Sequence, residues 1–233
     1  MKVAFMGNPE FALPSIQKIT KSKHEIKAII SNPPKPMGRK KVLNYTAVGN
    51  YSLSNNIELI ELDSFNNDHI FEKLASLNVD IFVVVAFRIL PEMYISIPHF
   101  GSINLHASIL PKYRGAAPIQ WALMNGEKTT GVSIFQIEKK VDTGKIITQK
   151  KINIDKNDNY GLLSKKLSYI GAEALVDALN RLEKGNVNFI KQENSLVTKA
   201  PKITKEILRI QWEWPAKKIN NWVRGLSPKP GMT

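Results

Sequence analysis

Short apolar runs alternate with amphipathic stretches along the first half of the chain. KVAFMG, residues 2–7, is an apolar run closed by Gly7 and predicts a buried strand. PEFALPSIQKIT follows, with Phe11, Ile16 and Ile19 on a rough helical stripe. EIKAIIS (25–31) predicts a second strand, and NPPKPMGRKK (32–41), with its prolines, glycine and basic cluster, predicts a loop. IELIEL (57–62) alternates as a strand does, whereas residues 66–77 place Ile70, Phe71, Leu74 and Leu77 at helical spacing. DIFVVVAF (80–87) is the most hydrophobic strand and is expected at the centre of the sheet.

In the second half, TTGVSIFQI and GKIITQKKINI predict two strands flanking EKKVDTG. Residues 160–185 predict a long helix with Leu163, Leu167, Ile170, Ala174 and Leu175 on its buried stripe and Gly185 as its stop. The pattern is polar and weak from Asn186 to Lys205, which predicts an irregular linker. WPAKKINNWVRGLSPKPG predicts a helix with Pro215 in its first turn and Gly225 just past its last. Ile219, Trp222, Val223 and Leu226 fall at i, i+3, i+4 and i+7, so the helix carries one apolar stripe that needs cover.

Strands alternating with helices imply parallel pairing and an α/β layer fold, in which ligands lie at the carboxyl ends of the strands. Those ends are Gly7-Asn8-Pro9, Ser31-Asn32, Ala86-Phe87-Arg88 and Asn104-Leu105-His106. The first turn lacks G-x-G-x-x-G and no P-loop is present, which argues against a dinucleotide on the first helix.

Composition narrows the chemistry. The chain of 233 residues has no cysteine, so thiol nucleophiles, disulfides and Cys-based metal sites are excluded. Its four histidines are scattered without ligand spacing; His24, His69 and His99 read as incidental and no metal is expected. No apolar stretch approaches the ~20 residues of a membrane span, and the opening MKVAFMGNPEF reads as a strand and turn rather than a leader. The net charge is +13. That excess suits a polyanionic partner, and equally suits a base-biased genome that encodes many lysines.

The candidate chemistry lies in INLHASILPKYRGAAPIQWAL (103–123). Asn104 and His106 occupy alternate positions on a strand end and so point to one side. A capped strand with a satisfied histidine would explain an isolated pair. Three features favour chemistry: Pro111 and Gly115 constrain the path after the histidine, the pair sits at a carboxyl strand edge, and VDTG supplies Asp142 in a turn between strands. An amide can donate to a developing oxyanion. An imidazole can do likewise or pass a proton, and a carboxylate can orient the imidazole or accept the amine's proton through water.

These stretches resemble the folate-dependent formyltransferases. NLHASILPKYRGAAPIQWAL resembles the family's N-x-H-x-S-L-L-P-x-Y/W-R-G-A-A-P-I block, EKKVDTGKII its D-x-G-x-I turn, and VAFMGNPEFALPSI its opening strand and loop. PPKPMGRKK resembles its inserted basic loop and VRGLSPKPG the start of its C-terminal domain, both features of the branch that formylates methionyl-tRNA. The resemblance implies a Rossmann-like, parallel-rich α/β sheet over residues 1–190, a linker over 191–208, and the start of an OB-like tRNA-binding domain over 209–233. The family normally continues beyond this point for roughly 80–100 residues, so a truncated C-terminal domain is expected.

The implied reaction moves the formyl group of 10-formyltetrahydrofolate to the amino group of initiator methionyl-tRNA, in a cytoplasmic, monomeric enzyme. Asn104, His106 and Asp142 match the family's catalytic trio. The resemblance places folate against Val85, Ala86, Phe87, Arg88, Ile89 and Leu90, and against Ser108, Ile109, Leu110 and Pro111. The AFRILP segment is one residue shorter than the family's AYGLILP. Leu110-Pro111 is expected to be cis. Arg39, Lys40 and Lys41 match the loop that approaches tRNA, and Arg114 either joins in binding or holds its own turn together. Transfer to a small amine, as in purine synthesis, and a non-catalytic tRNA- or folate-binding remnant are the alternative readings.

Overall fold

The computed structural model describes residues 1–38, 41–66 and 68–233. In chain order the elements are β1 (Lys2–Gly7), α1 (Leu13–Thr20), β2 (Glu25–Ser31), β3 (Lys35–Met37), β4 (Val42–Asn44), α2 (Ala47–Ser54), β5 (Glu58–Glu61) and α3 (Asp68–Ser76). They continue with β6 (Ile81–Val85), α4 (Glu92–Ile95), β7 (Ser102–His106), α5 (Pro118–Met124), β8 (Thr129–Gln136), β9 (Ile146–Asn153), α6 (Tyr160–Glu183) and α7 (Ala216–Leu226).

Among the described residues, one seven-stranded sheet runs β5-β2-β1-β6-β7-β8-β9. The first five strands in that order are parallel, and β8 and β9 are antiparallel additions at one edge. The sheet is therefore α/β and parallel-rich, with its order reversing between β1 and β6. A crevice opens at such a reversal because successive crossovers leave on opposite faces.

Period-two alternation sorts β1 between two cores. Val3 and Phe5 join Ile16 and Ile19 of α1 and Leu163, Leu167 and Leu175 of α6 on one face. Ala4 and Met6 join Leu74 of α3 and Tyr94 of α4 on the other. All five residues of β6 are buried, as its continuous apolar run requires. At roughly 1.5–3 kcal/mol for each large apolar side chain fully buried, that central position carries much of the sheet's stability. Helix α6 begins where the Asn159 side chain accepts a 2.9 Å bond from Leu162 N–H, and the chain leaves it at Gly185 with φ +65°.

Two expectations are corrected. The stretch from 32 to 41 was expected to be all loop, but it contributes β3, paired antiparallel with β4 in the register Lys35↔Asn44 and Pro36↔Leu43. A two-stranded ribbon tolerates Pro36 because its strands are edges on both sides. Gly225 was expected past the end of the last helix, but it lies inside α7. A Cβ there would stand 2.7 Å from Met124 Cγ and 3.0 Å from the Gln120 carbonyl oxygen. The missing side chain lets α7 lie directly on α5, which outweighs the helix-propensity cost of about 1 kcal/mol. Part of the stripe thus finds cover within the chain: Leu226 is buried and Trp222 half-buried, whereas Val223 stays exposed. The Trp222 ring meets Trp121 at 6.1 Å and Trp214 at 4.6 Å between centroids. No helix among the described residues is long and apolar enough to cross a membrane.

Candidate active site

A cleft of about 1480 Å³ opens at the carboxyl ends of β1, β6 and β7. Its lining includes Asn8 and Phe11 after β1, Ala86–Leu90 after β6, Asn104 and His106 at the end of β7, and Asp142 between β8 and β9. The alternation within β7 explains the aim of the pair. Leu105 lies against Gly171 of α6, so Asn104 and His106 project from the opposite face. Asn104 is half-buried and stands opposite Phe135 of β8.

His106 is 6% exposed. Its Nε2 lies 2.8 Å from the Tyr113 carbonyl oxygen, and its Nδ1 lies 3.8 Å from Asp142 Oδ2. A carbonyl oxygen only accepts, so Nε2 carries the proton and Nδ1 is the nitrogen turned toward the carboxylate. The 3.8 Å gap exceeds a direct hydrogen bond. It leaves Nδ1 able to meet a substrate atom, with the carboxylate beside it. Asp142 Oδ2 itself accepts a 2.8 Å bond from Gly115 N–H.

The backbone around this pair is held in unusual conformations. Ala86 (φ 49°), Tyr113 (φ 62°) and Asp142 (φ 55°) are left-handed non-glycine residues. Such residues cost of order 1–3 kcal/mol each and persist where surrounding contacts over-determine them. Gly115 has φ +123°, and a Cβ there would stand 2.6 Å from the Ala200 carbonyl oxygen. Residues 198–200 lie along the turn: Arg114 N–H donates to Thr198 O, Ala200 N–H to Arg114 O, and Ala117 N–H to Ala200 O. Tyr113 N–H donates to Thr198 Oγ1.

Tyr113 also anchors the turn from its side chain. Its hydroxyl donates to Glu127 Oε1 at 2.7 Å and accepts from Asn125 Nδ2 at 3.2 Å. Burial, with the Glu127 hydrogen bond adding to it, pushes the phenol up to about 12.

The other residues singled out from the sequence divide by location. Ala86, Phe87, Arg88, Ile89 and Leu90 line the cleft, whereas Val85 is wholly buried beneath them in β6. The Arg88 guanidinium donates to Asn32 Oδ1 and to the Asp63 carbonyl. Ser108, Ile109, Leu110 and Pro111 stand outside the cleft lining. They form the turn beyond His106, where Ser133 Oγ donates to Ser108 O at 2.7 Å, Leu110 N–H donates to Ser133 Oγ at 3.0 Å, and Gln149 Nε2 donates to Leu110 O at 2.9 Å. Leu110-Pro111 is cis. Lys41 is exposed after the β3 strand, and Arg39 and Lys40 lie outside the described residues.

The Arg114 side chain ties its turn to Gln192, 78 residues on. Its Nε and Nη2 both donate to Gln192 Oε1, at 3.0 and 2.7 Å. Sequence reasoning missed Gln192, the Tyr113 carbonyl and the Gly115 N–H. Backbone groups carry no residue-type signal, and Gln192 sits in a polar stretch without periodicity.

A family model described as formyl transferase matches residues 1–179, and one described as formyl transferase, C-terminal domain, matches residues 202–233. A methionyl-tRNA formyltransferase of Caldanaerobacter subterraneus subsp. tengcongensis is 40% identical over 233 residues, covering 99% of this chain and 75% of its own length. One from Thermodesulfovibrio yellowstonii is 42% identical over 229 residues, covering 98% of this chain and 74% of its own length. Among solved structures, the N-formyltransferase of Helicobacter canadensis, in complex with folinic acid and dTDP-3-aminofucose, superposes with a TM-score of 0.74 at 24% identity. That match covers 97% of this chain and 80% of the other, and shows a shared fold. With the first 179 residues matched by the formyl transferase model and relatives at 40% identity along nearly its whole length, the chain belongs to the methionyl-tRNA formyltransferase family.

Proposed function

We propose that this protein transfers a formyl group from 10-formyltetrahydrofolate to the α-amino group of methionyl initiator tRNA, with Asn104, His106 and Asp142 as the reacting set. The opening of all three side chains on one strand-end cleft carries this reading. The folate ring system lies against the Ala86–Leu90 segment, whose left-handed Ala86 turns the chain across the end of β6. Folinic acid in the Helicobacter canadensis protein, which shares this fold, supports a folate donor.

The neutral amine attacks the formyl carbon, and the formyl oxygen becomes an oxyanion. The Asn104 amide and a protonated His106 Nδ1 donate to that oxygen. Nε2, tied to the Tyr113 carbonyl, holds the ring in place throughout. Asp142 stabilises the imidazolium at 3.8 Å and receives the proton of the attacking amine through water. Collapse of the tetrahedral species re-forms the carbonyl, breaks the bond to N10 and returns a proton to that nitrogen. The products are formylmethionyl-tRNA and tetrahydrofolate, with no acylated side chain.

The exposed Lys41 belongs to a basic segment whose natural contact is tRNA phosphate. The experiment is transfer of labelled formyl from 10-formyltetrahydrofolate to methionyl-tRNA, set beside glycinamide ribonucleotide. Label entering the small amine and not the tRNA would overturn the assignment.

A further inference from the structure

We infer that Gln192 is a positioning residue for formyl transfer, tying together the two turns that present Asp142 and brace His106. The inference rests on the reading of His106 and Asp142 as the reacting pair.

Gln192 lies 50 residues beyond Asp142 and is 6% exposed. Its amide is saturated. Oε1 accepts both bonds from Arg114, and Nε2 donates to the Asp142 carbonyl at 3.0 Å and the Gly144 carbonyl at 2.8 Å. A primary amide offers two donors and two acceptor sites, so no capacity is left for another role.

The placement of those bonds is what matters. Asp142 is left-handed, with φ 55°. Its carboxylate is held from one side by Gly115 N–H and its carbonyl from the other by Gln192 Nε2. Arg114, the second partner of Gln192, lies between Tyr113, whose carbonyl fixes the His106 ring, and Gly115, whose N–H holds the Asp142 carboxylate. One buried side chain therefore joins the support of His106 to the support of Asp142. The interval between Nδ1 and the carboxylate is set by this joint, because His106 and Asp142 share no direct hydrogen bond.

The test is steady-state kinetics of the whole chain carrying Gln192→Ala or Gln192→Glu, each alone and in an Asp142→Ala background. Gln192→Glu keeps the size and the acceptance from Arg114 but cannot donate to the two carbonyls. Each single variant should lower kcat about 10- to 100-fold, with KM for methionyl-tRNA and 10-formyltetrahydrofolate changed by no more than about twofold. In the Asp142→Ala background the further loss should vanish, because a residue acting through Asp142 has nothing left to position. A single variant with wild-type kcat, or a loss equally large in both backgrounds, would overturn the role. Failure of both variants to fold would overturn it too, since Gln192 would then serve the fold as a whole. Absence of transfer by the unaltered chain would instead sink the functional reading and this role together.

Discussion

His106 Nε2 lies 2.8 Å from the carbonyl oxygen of Tyr113, a residue in the left-handed conformation. That contact decides which ring nitrogen is taken up by the backbone. A backbone carbonyl cannot donate, so the ring is anchored through N–H at Nε2, and Nδ1 is the nitrogen turned toward the Asp142 carboxylate.

The reacting pair is expected to act on turnover rather than on affinity. His106→Ala and Asp142→Asn should each lower kcat about 10²- to 10⁴-fold, the usual range for loss of a positioned acid, base or oxyanion donor. Tetrahydrofolate affinity, followed by titration calorimetry, should change little. Near-wild-type turnover in either variant would remove that residue from the mechanism.

Gly115→Ala should be among the more damaging single substitutions. The new Cβ would lie 2.6 Å from Ala200 O, at a φ of +123° that a side chain rarely adopts. Relief means parting residues 198–200 from the turn, at a cost of about 1–3 kcal/mol. Urea denaturation reads that loss directly, and an unchanged midpoint would show that the strand-like contact is dispensable.

Alkaline stability should depend on Tyr113. With the phenol pushed up to about 12 in the folded protein against about 10 when unfolded, folding is favoured fully below pH 10. The unfolded chain then ionises first as pH rises, and this contribution is lost between about pH 10 and 12. Tyr113→Phe should flatten that part of the stability profile. A profile that falls as steeply in the variant would assign the alkaline limb to other groups.

Acid stability should depend in the same way on Glu183, with the opposite sign. Hydrogen bonds from Lys23 and the N-terminal amine hold its carboxyl down at about 2. Its contribution is complete above the ordinary glutamate range and fades as pH falls from about 4.5 toward 2. Glu183→Gln should make denaturation less pH-dependent across that window, as followed by circular dichroism.

The junction of α5 and α7 should show in Trp222→Ala. The ring is half-buried between Trp121 and Trp214, so its removal should cost about 2–3 kcal/mol, less than the 3–5 of a fully buried aromatic. Loss of α7 helicity without loss of the main unfolding transition would be the expected pattern. An unaltered helix signal would contradict the proposed cover.

The elements legible in the sequence are those whose signal is local. β2 spans the 25–31 run that its apolar residues marked, β6 lies within the 80–87 run, and α6 follows the stripe that begins at Leu163. The shared face of Asn104 and His106 was equally readable, because alternation in a strand needs only neighbouring residues. The pairing of β3 with β4 escaped because three-residue strands carry almost no periodic pattern. Gly225 misled because glycine marks a helix end by local rule, while its reason here is the approach of Met124 from another helix.

The sequence by itself determined the α/β frame, the strand end that bears the amide and imidazole, and the residue types able to move a formyl group. Tertiary structure alone decided how they work together. It brought Asp142 to within 3.8 Å of His106, chose the ring nitrogen through a carbonyl at position 113, and joined Arg114 to a glutamine 78 residues away. Those contacts link segments whose separation no periodicity records. One of them uses a backbone group that every residue possesses, so only the folded chain could make it specific.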